Sequence, residues 1–154
     1  MSDTIEAKLA DLGLTLPTPA APVATYAPAV IAGNLLHISG QLPFDDGALM
    51  TGRVGEDRDL DYAAHAAQRC ALMLIAQMKA ALGDDLSRVV RIVKLGVFVN
   101  SAGSFTDQAK VANGASELMI AAFGDAGRHA RSAVGVPVLP LGAVVEIDAI
   151  VQIG

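Results

Sequence analysis

Residues 127–154 read GRHARSAVGVPVLPLGAVVEIDAIVQIG, and their pattern predicts two β-strands joined by a turn. The turn signals Pro140 and Gly142 separate the two extended runs, as expected for a β-hairpin. Successive residues of the second run alternate between two faces of a strand. One face is apolar, whereas the other carries the carboxylates Glu146 and Asp148. In a closed hairpin Arg131 would lie beside the last strand, within reach of either carboxylate.

The composition is that of an ordered, single-domain globular protein. The chain has 154 residues, of which 53% are hydrophobic and 18% are charged, and this length suffices for a sizeable core. A net charge of -5 and an aromatic content of 4% argue against a nucleic-acid partner, which needs a basic surface and stacking rings. Because the surface is poor in charge, we expect another subunit to bury part of it.

The sequence carries no signal for export or membrane insertion. The acidic residues Asp3 and Glu6 lie where a signal peptide would be basic, and the uncharged apolar run at residues 132–145 is too short for a membrane span. The single cysteine, Cys70, excludes an intramolecular disulfide and fits a reducing compartment. We therefore expect a soluble, cytoplasmic protein.

Strand and helix signals alternate along the rest of the chain. Strands are predicted at residues 23–31, 35–41 and 86–100. Helices are predicted at residues 5–12, from a cap at Asp57 or Asp59 to about residue 82, and at residues 106–123. This βαβαββ-like, ferredoxin-like order predicts an α+β fold in which one mixed sheet carries two helices on one face. We expect residues 1–22 to form an N-terminal helix and a Pro/Ala-rich linker, followed by one domain at residues 23–154.

Most residues capable of chemistry have an ordinary structural explanation. The histidines His37, His65 and His129 have no metal-ligand spacing, so we expect no metal site. Cys70 lies on the apolar face of its predicted helix, which is typical of an inert core thiol. Arg131 is different, because its predicted neighbours are two carboxylates.

Arg131 and Glu146 have two interpretations. They either form a structural salt bridge, or they leave Arg131 free to hold a small carboxylate through two parallel hydrogen bonds. Asp148 on the same strand face favours the second interpretation, because the charges then do not simply cancel.

Two motifs support the second interpretation. The first is GNLLHISGQLP at residues 33–43, and the second combines ARSAV at residues 130–134 with LPLGAVVEIDAI at residues 139–150. In this order they resemble the signatures of the reactive intermediate deaminase (Rid) family, also called the YjgF or L-PSP-like family. The resemblance covers residues 23–153. It implies a chorismate-mutase-like fold, assembled as a homotrimer with a ligand cleft at each subunit interface.

The resemblance also implies an activity, namely hydrolysis of reactive enamines and imines such as 2-aminoacrylate to 2-keto acids and ammonia, without a cofactor. Arg131 would bind the carboxylate of the substrate, and Glu146 would position the hydrolytic water. Tyr26 would lie at the mouth of the cleft, and Gly40 would offer its backbone to the ligand. Ala133 replaces a cysteine that is common in the family, so a role of its backbone survives whereas a role of a thiol does not.

The chain departs from the family pattern at several positions, which indicates a divergent subgroup. The helix asparagine of the family corresponds by residue type to Asn113 but by spacing to Glu117, whose charge would work against an anionic substrate. Arg128 and His129 stand where many members have proline, and the N-terminal helix and linker are additional.

Two other functions remain open at this point. The first is a non-catalytic trimer that binds small carboxylates, which would show tight binding of 2-keto acids without turnover. The second is an endoribonuclease, a function attached to some relatives, against which the acidic net charge argues.

Overall fold

A computed structural model describes residues 4–22 and 24–154, and within these ranges it contains three α-helices and seven β-strands. The helices are α1 (Ile5–Asp11), α2 (Leu60–Ala81) and α3 (Gln108–Phe123). The strands are β1 (Ala29–Ala32), β2 (Leu35–Gln41), β3 (Phe44–Asp45), β4 (Ala48–Leu49), β5 (Val89–Asn100), β6 (Ala130–Val136) and β7 (Val145–Ile153). Val23, where the first strand was predicted to begin, lies outside the described residues.

Five strands form one mixed sheet in the order β1-β2-β7-β5-β6, and β3 pairs with β4 separately. The pairs β1–β2, β2–β7 and β5–β7 are antiparallel, whereas β5 and β6 are parallel. A parallel pair needs a long crossover connection, and α3 provides it between β5 and β6. The predicted α+β fold with a mixed sheet is therefore confirmed.

The predicted hairpin between the last two strands is wrong, because β5 lies between β6 and β7. Arg131 of β6 is paired in register with Leu95 of β5, and Leu95 is paired on its other side with Ala149 of β7. The turn signals do lie between β6 and β7, since residues 140–142 form a short 3₁₀ turn. The chain then returns on the far side of β5, whose twelve residues offer partners along both edges.

The helices α2 and α3 cover one face of the sheet and enclose the core. Asp59 caps α2, since its side chain accepts a hydrogen bond from the Tyr62 amide at 2.8 Å, and this satisfies one of the free amides of the first turn. On β7, Ile147, Ala149 and Val151 point into this core and are buried. No helix within residues 4–22 and 24–154 has the length and apolarity needed to cross a membrane.

The N-terminal segment packs on the same core. Leu9 of α1 is 1% exposed and belongs to the main apolar cluster. The linker that follows is held by the buried amide of Gln77, which donates to the Ala20 carbonyl at 3.0 Å and to Oε1 of Gln41 at 3.3 Å. The division into residues 1–22 and a domain at 23–154 stays a prediction.

Candidate functional site

The face of the sheet without helices carries both carboxylates of β7. Buried and half-buried residues alternate along β7, which places Glu146 and Asp148 on this open face, as the sequence pattern predicted. In the register of the sheet, Phe98 lies beside Glu146, and Gly96 lies beside Asp148. The open face therefore combines negative charge with apolar and small residues.

A cavity of ≈ 470 Å³ lies at one end of the open face and brings together Tyr26, Gly40 and Glu146. Its walls come from the N-terminal linker, from β2 and from the turn before β7, and they are mainly apolar. Tyr26 is 46% exposed. Among the described residues that line the cavity, Glu146 supplies the only carboxylate, so the cavity offers one proton acceptor in apolar surroundings.

The pKa values of the two carboxylates are shifted upwards. Burial raises the pKa of Glu146, and the negative charge of Asp148 raises it further. Burial also raises the pKa of Asp148, although the Gly96 amide and the positive charge of Lys94 partly offset this effect. A carboxylate with a raised pKa holds protons more tightly, which makes Glu146 a stronger base than an exposed glutamate.

Arg131 is fixed by neutral acceptors on α3. Its Nη1 donates to Oδ1 of Asn113 at 2.9 Å and to Oγ of Ser116 at 3.1 Å, and its Nη2 donates to the Ala109 carbonyl at 3.3 Å. No carboxylate within residues 4–22 and 24–154 lies within 4.0 Å of its guanidinium. The positive charge of Arg131 is thus oriented but has no anionic partner in the described part of the chain.

The prediction that Arg131 lies close to Glu146 and Asp148 is wrong within one chain. The side chain of Arg131 lies on the helix-bearing face of the edge strand β6, where it contacts α3. The carboxylates lie on the opposite face of β7, two strands away. The structural salt bridge between Arg131 and Glu146 is therefore excluded within the chain, because strand β5 and the thickness of the sheet separate the two groups.

The structure places the remaining predicted residues in different regions. Asn113 contacts Arg131, whereas Glu117 is exposed and lines a shallow groove between α2 and α3 together with His65. Ala133 lies on the helix-bearing side of β6 and packs against the core. One half of the predicted site, Arg131, Asn113 and Ala133, thus lies along the β6 edge. The structure does not bring Glu117 to it.

The described residues contain no group of three or more His, Cys, Asp or Glu side chains that could hold a metal ion. Cys70 is fully buried. Burial raises the pKa of the Cys70 thiol well above its usual value, and the charge of Glu146 adds to this effect. A thiol in this environment is a poor nucleophile.

Comparison with known proteins identifies the family. The chain matches the family described as "YjgF/chorismate_mutase-like, putative endoribonuclease" over residues 6–152. It is a member of the YjgF/chorismate mutase-like family. The resemblance expected from the two sequence motifs is confirmed.

Individual YjgF-family relatives carry different names. Protein TCP17 of Trypanosoma cruzi is 53% identical over 154 residues, which covers 99% of this chain and 96% of TCP17. The Bos taurus protein named 2-iminobutanoate/2-iminopropanoate deaminase is 31% identical over 138 residues, covering 88% of this chain and 85% of the relative. The crystal structure of Atu1372 from Agrobacterium tumefaciens, described as having unknown function, has 50% identity and a TM-score of 0.93, covering 99% of this chain and 94% of that one.

Sequence reasoning missed two polar residues of this YjgF-family chain that lie beside Arg131. Ser116 accepts from Arg131, and its Oγ lies 2.8 Å from Nε2 of His129. Two signals pointed to them. Ser116 is one helical turn after Asn113, and His129 precedes Arg131 by two residues, which places both on one side of an extended chain.

Proposed function

We propose that this chain hydrolyses reactive enamine and imine intermediates of the 2-aminoacrylate type to 2-keto acids and ammonia. The observation that carries the proposal is the guanidinium of Arg131, which neutral acceptors hold in place and no described carboxylate neutralises. Such a group is suited to bind the carboxylate common to all these substrates. The proposal is also supported by the Bos taurus relative, which is named as a deaminase of this kind.

The proposed site is built by two copies of the chain. Arg131 lies at the β6 edge and Glu146 lies in the cavity of the opposite face, so a single chain cannot use both on one small substrate. In the proposed homotrimer, the β6 edge of one protomer lies against the cavity of the next. Arg131, with Asn113 and Ala133 beside it, would then face Glu146, Gly40 and Tyr26 of the neighbouring protomer.

The proposed reaction is hydrolysis of a carbon–nitrogen double bond. An enamine such as 2-aminoacrylate first tautomerises to its imine. Glu146 orients a water molecule and accepts one of its protons while the oxygen adds to the imine carbon. The imine nitrogen takes up a proton in this step, which gives a carbinolamine. Glu146 then returns its proton to the nitrogen. The carbon–nitrogen bond breaks as the hydroxyl group gives up its proton, and ammonia and the 2-keto acid are released. General base and acid catalysis of this kind contributes roughly 10²–10⁴-fold in rate.

The cellular setting belongs to the same proposal. The free, buried thiol of Cys70 fits a reducing compartment, and we propose a cytoplasmic location. The small imino-acid or carboxylate ligand and a second protomer are the proposed partners, and no nucleic acid is required.

The test is release of ammonia and keto acid from a freshly generated imine. A hydrogen bond to a charged group is worth about 1.5–3 kcal/mol, so Arg131→Ala should lower kcat/KM about 10- to 150-fold. The control is Arg128→Ala, which removes an equal charge from an exposed side chain whose only ionic partner in the described part of the chain is the exposed Asp125. The kcat/KM of Arg128→Ala should stay within twofold of the wild-type value.

Wild-type rates in Arg131→Ala would refute the proposed function. Tight binding of 2-keto acids without turnover in the wild-type protein would instead indicate a binding module. Cleavage of RNA without metal, lost in Arg131→Ala, would indicate the endoribonuclease.

A further inference from the structure

The hydrogen bonds around Arg131 extend to a residue that the proposed reaction does not use. Nη1 of Arg131 donates to Oγ of Ser116 at 3.1 Å. The same Oγ lies 2.8 Å from Nε2 of His129, and Nδ1 of His129 lies 2.6 Å from the Gly127 carbonyl oxygen. Resting on the proposed function, we propose that Ser116 and His129 are positioning residues that set the orientation of Arg131 for carboxylate binding.

The direction of this chain of hydrogen bonds follows from its last member. The Gly127 carbonyl can only accept, so Nδ1 of His129 must carry a proton. Burial lowers the pKa of His129, the hydrogen bond to Gly127 partly offsets this, and the nearby positive charge of Arg131 lowers the pKa further. The net shift favours the neutral ring. In the neutral ring with Nδ1 protonated, Nε2 accepts, and the hydroxyl of Ser116 donates to it. The oxygen of Ser116 is then left with lone pairs for Arg131.

The positioning role of His129 follows from the rotational freedom of the Ser116 hydroxyl. A serine hydroxyl rotates freely unless a partner fixes its hydrogen. Here His129 fixes it, so the lone pairs of Ser116 point in a defined direction. Asn113 lies one turn earlier on α3 and offers a second acceptor to the same Nη1 at 2.9 Å. The two acceptors together determine the plane of the guanidinium.

A count of donors agrees with this role. A guanidinium has five N–H donors. Asn113 and Ser116 use the two hydrogens of Nη1, and the Ala109 carbonyl uses one hydrogen of Nη2. Within the described residues, Nε and the second hydrogen of Nη2 have no hydrogen-bond acceptor. Two donors remain, which is the number that a carboxylate bound through both oxygens requires.

The first experiment removes the Ser116 hydroxyl. Ser116→Ala should raise KM for the imine and Kd for the corresponding 2-keto acid, measured by calorimetry, about 5- to 10-fold, with kcat within twofold of wild type. KM and Kd should rise without a change in kcat because the protein holds the carboxylate of the substrate equally in the ground and transition states. Ser116→Thr keeps the hydroxyl and should restore both constants. Ser104→Ala, at an exposed serine, is the matched control.

The second experiment changes the acceptor of the Ser116 hydroxyl. His129→Ala should raise the same two constants. His129→Gln places an amide oxygen near the position of Nε2, so it should restore most of the affinity. A role in packing alone would not predict rescue by glutamine, which differs from histidine in shape.

A spectroscopic measurement tests the chain of hydrogen bonds directly. Nitrogen NMR of the wild-type protein near pH 7.5 should report a protonated Nδ1 and an unprotonated Nε2 for His129. In Ser116→Ala the Nε2 signal should shift, because its donor is lost. The opposite tautomer in the wild type would overturn the proposed direction.

The outcomes separate this inference from the proposed function. An active wild type with unchanged KM and Kd in Ser116→Ala and His129→Ala would overturn the positioning role alone. Absent turnover, with keto-acid binding that weakens in both variants, would support the positioning role and refute the deaminase. A wild type that neither turns over imines nor binds keto acids would overturn both.

Discussion

Gly40 and Glu146 are so close that a side chain at position 40 would collide with the carboxylate of Glu146. A β-carbon built on Gly40 would lie 2.6 Å from Oε1 and 2.9 Å from the carboxyl carbon of Glu146. The pairing of β2 with β7 changes register between Ile38 and Gln41, next to this glycine. A glycine at such an irregularity lets the partner strand approach. The carboxylate of Glu146 thus occupies the space that the side chain of residue 40 would fill, and it borders the cavity there.

Replacing Gly40 by alanine should therefore displace the carboxylate. We expect Gly40→Ala to lower kcat for imine hydrolysis about 10²-fold, because a misplacement of about 1 Å has effects of this size. Turnover assays and thermal unfolding would be measured together. Gly103→Ala is the matched control, because nothing lies within 4 Å of its added β-carbon. An unchanged kcat in Gly40→Ala would remove Glu146 from the proposed mechanism.

The raised pKa of Glu146 predicts a pH-dependent effect on stability. Because burial raises the pKa above its value in the unfolded chain, the ionised group destabilises the fold at pH values above the raised pKa. This cost disappears as the pH falls below 4.5, the ordinary value of the glutamate pKa. Glu146→Gln should therefore stabilise the protein at pH 7–8, and the gain should vanish near pH 4.

Urea unfolding across this pH range measures the effect of Glu146→Gln. Glu117→Gln, at an exposed carboxylate on α3, is the control and should show no such gain. A Glu146→Gln gain that is equal at pH 4 and pH 8 would contradict the assignment of the effect to the ionised carboxylate.

Close packing of the two long helices depends on Gly114. A β-carbon at this position of α3 would collide with the carbonyl oxygen of Ala64 on α2. We expect Gly114→Ala to destabilise the fold by about 1–3 kcal/mol through overpacking, although alanine is the better helix former by about 1 kcal/mol. Chemical denaturation measures the change, and a stabilised variant would show that the helices separate easily.

The thiol of Cys70 should resist chemical modification in the folded protein. It is fully buried, and burial together with the charge of Glu146 raises its pKa, so little thiolate is present at pH 8. A thiol reagent should label the protein in denaturant and leave the native protein unlabelled over the same time. Cys70→Ala should hydrolyse imines at the wild-type rate. Rapid labelling of the native wild-type protein would contradict the buried position of the thiol.

Local features of this protein were predicted well from the sequence. The long helix expected to follow a cap at Asp57 or Asp59 and to end near residue 82 is α2 (Leu60–Ala81), and Asp59 is its cap. Its signals are an apolar repeat, a capping aspartate and the stop at Gly83, and all three depend on neighbouring residues. The strand expected at residues 35–41 is β2 (Leu35–Gln41). The alternation in β7 correctly placed Glu146 and Asp148 on the same face.

The relationships between distant residues were not predictable in the same way. The sequence left Asn113 and Glu117 as alternatives, and only the rotation of α3 against β6 placed Asn113 beside Arg131. His129 was considered as a metal ligand and dismissed, although its ring lies against Ser116. Such contacts depend on which elements pack together, and neither helical nor strand spacing contains that information.

The sequence by itself determined the long helices and the longer strands, the alternating faces of β7 and the family, because each depends on short-range periodicity or on contiguous motifs. Only the tertiary structure decided that β5 separates β6 from β7, and that the register of β5 with each neighbour puts Arg131 and Glu146 on opposite faces of the sheet. The physical reason is that a strand can satisfy its backbone hydrogen bonds with any suitable edge. The choice between edges is made by long-range packing, here by α3, which returns β6 to the far side of β5.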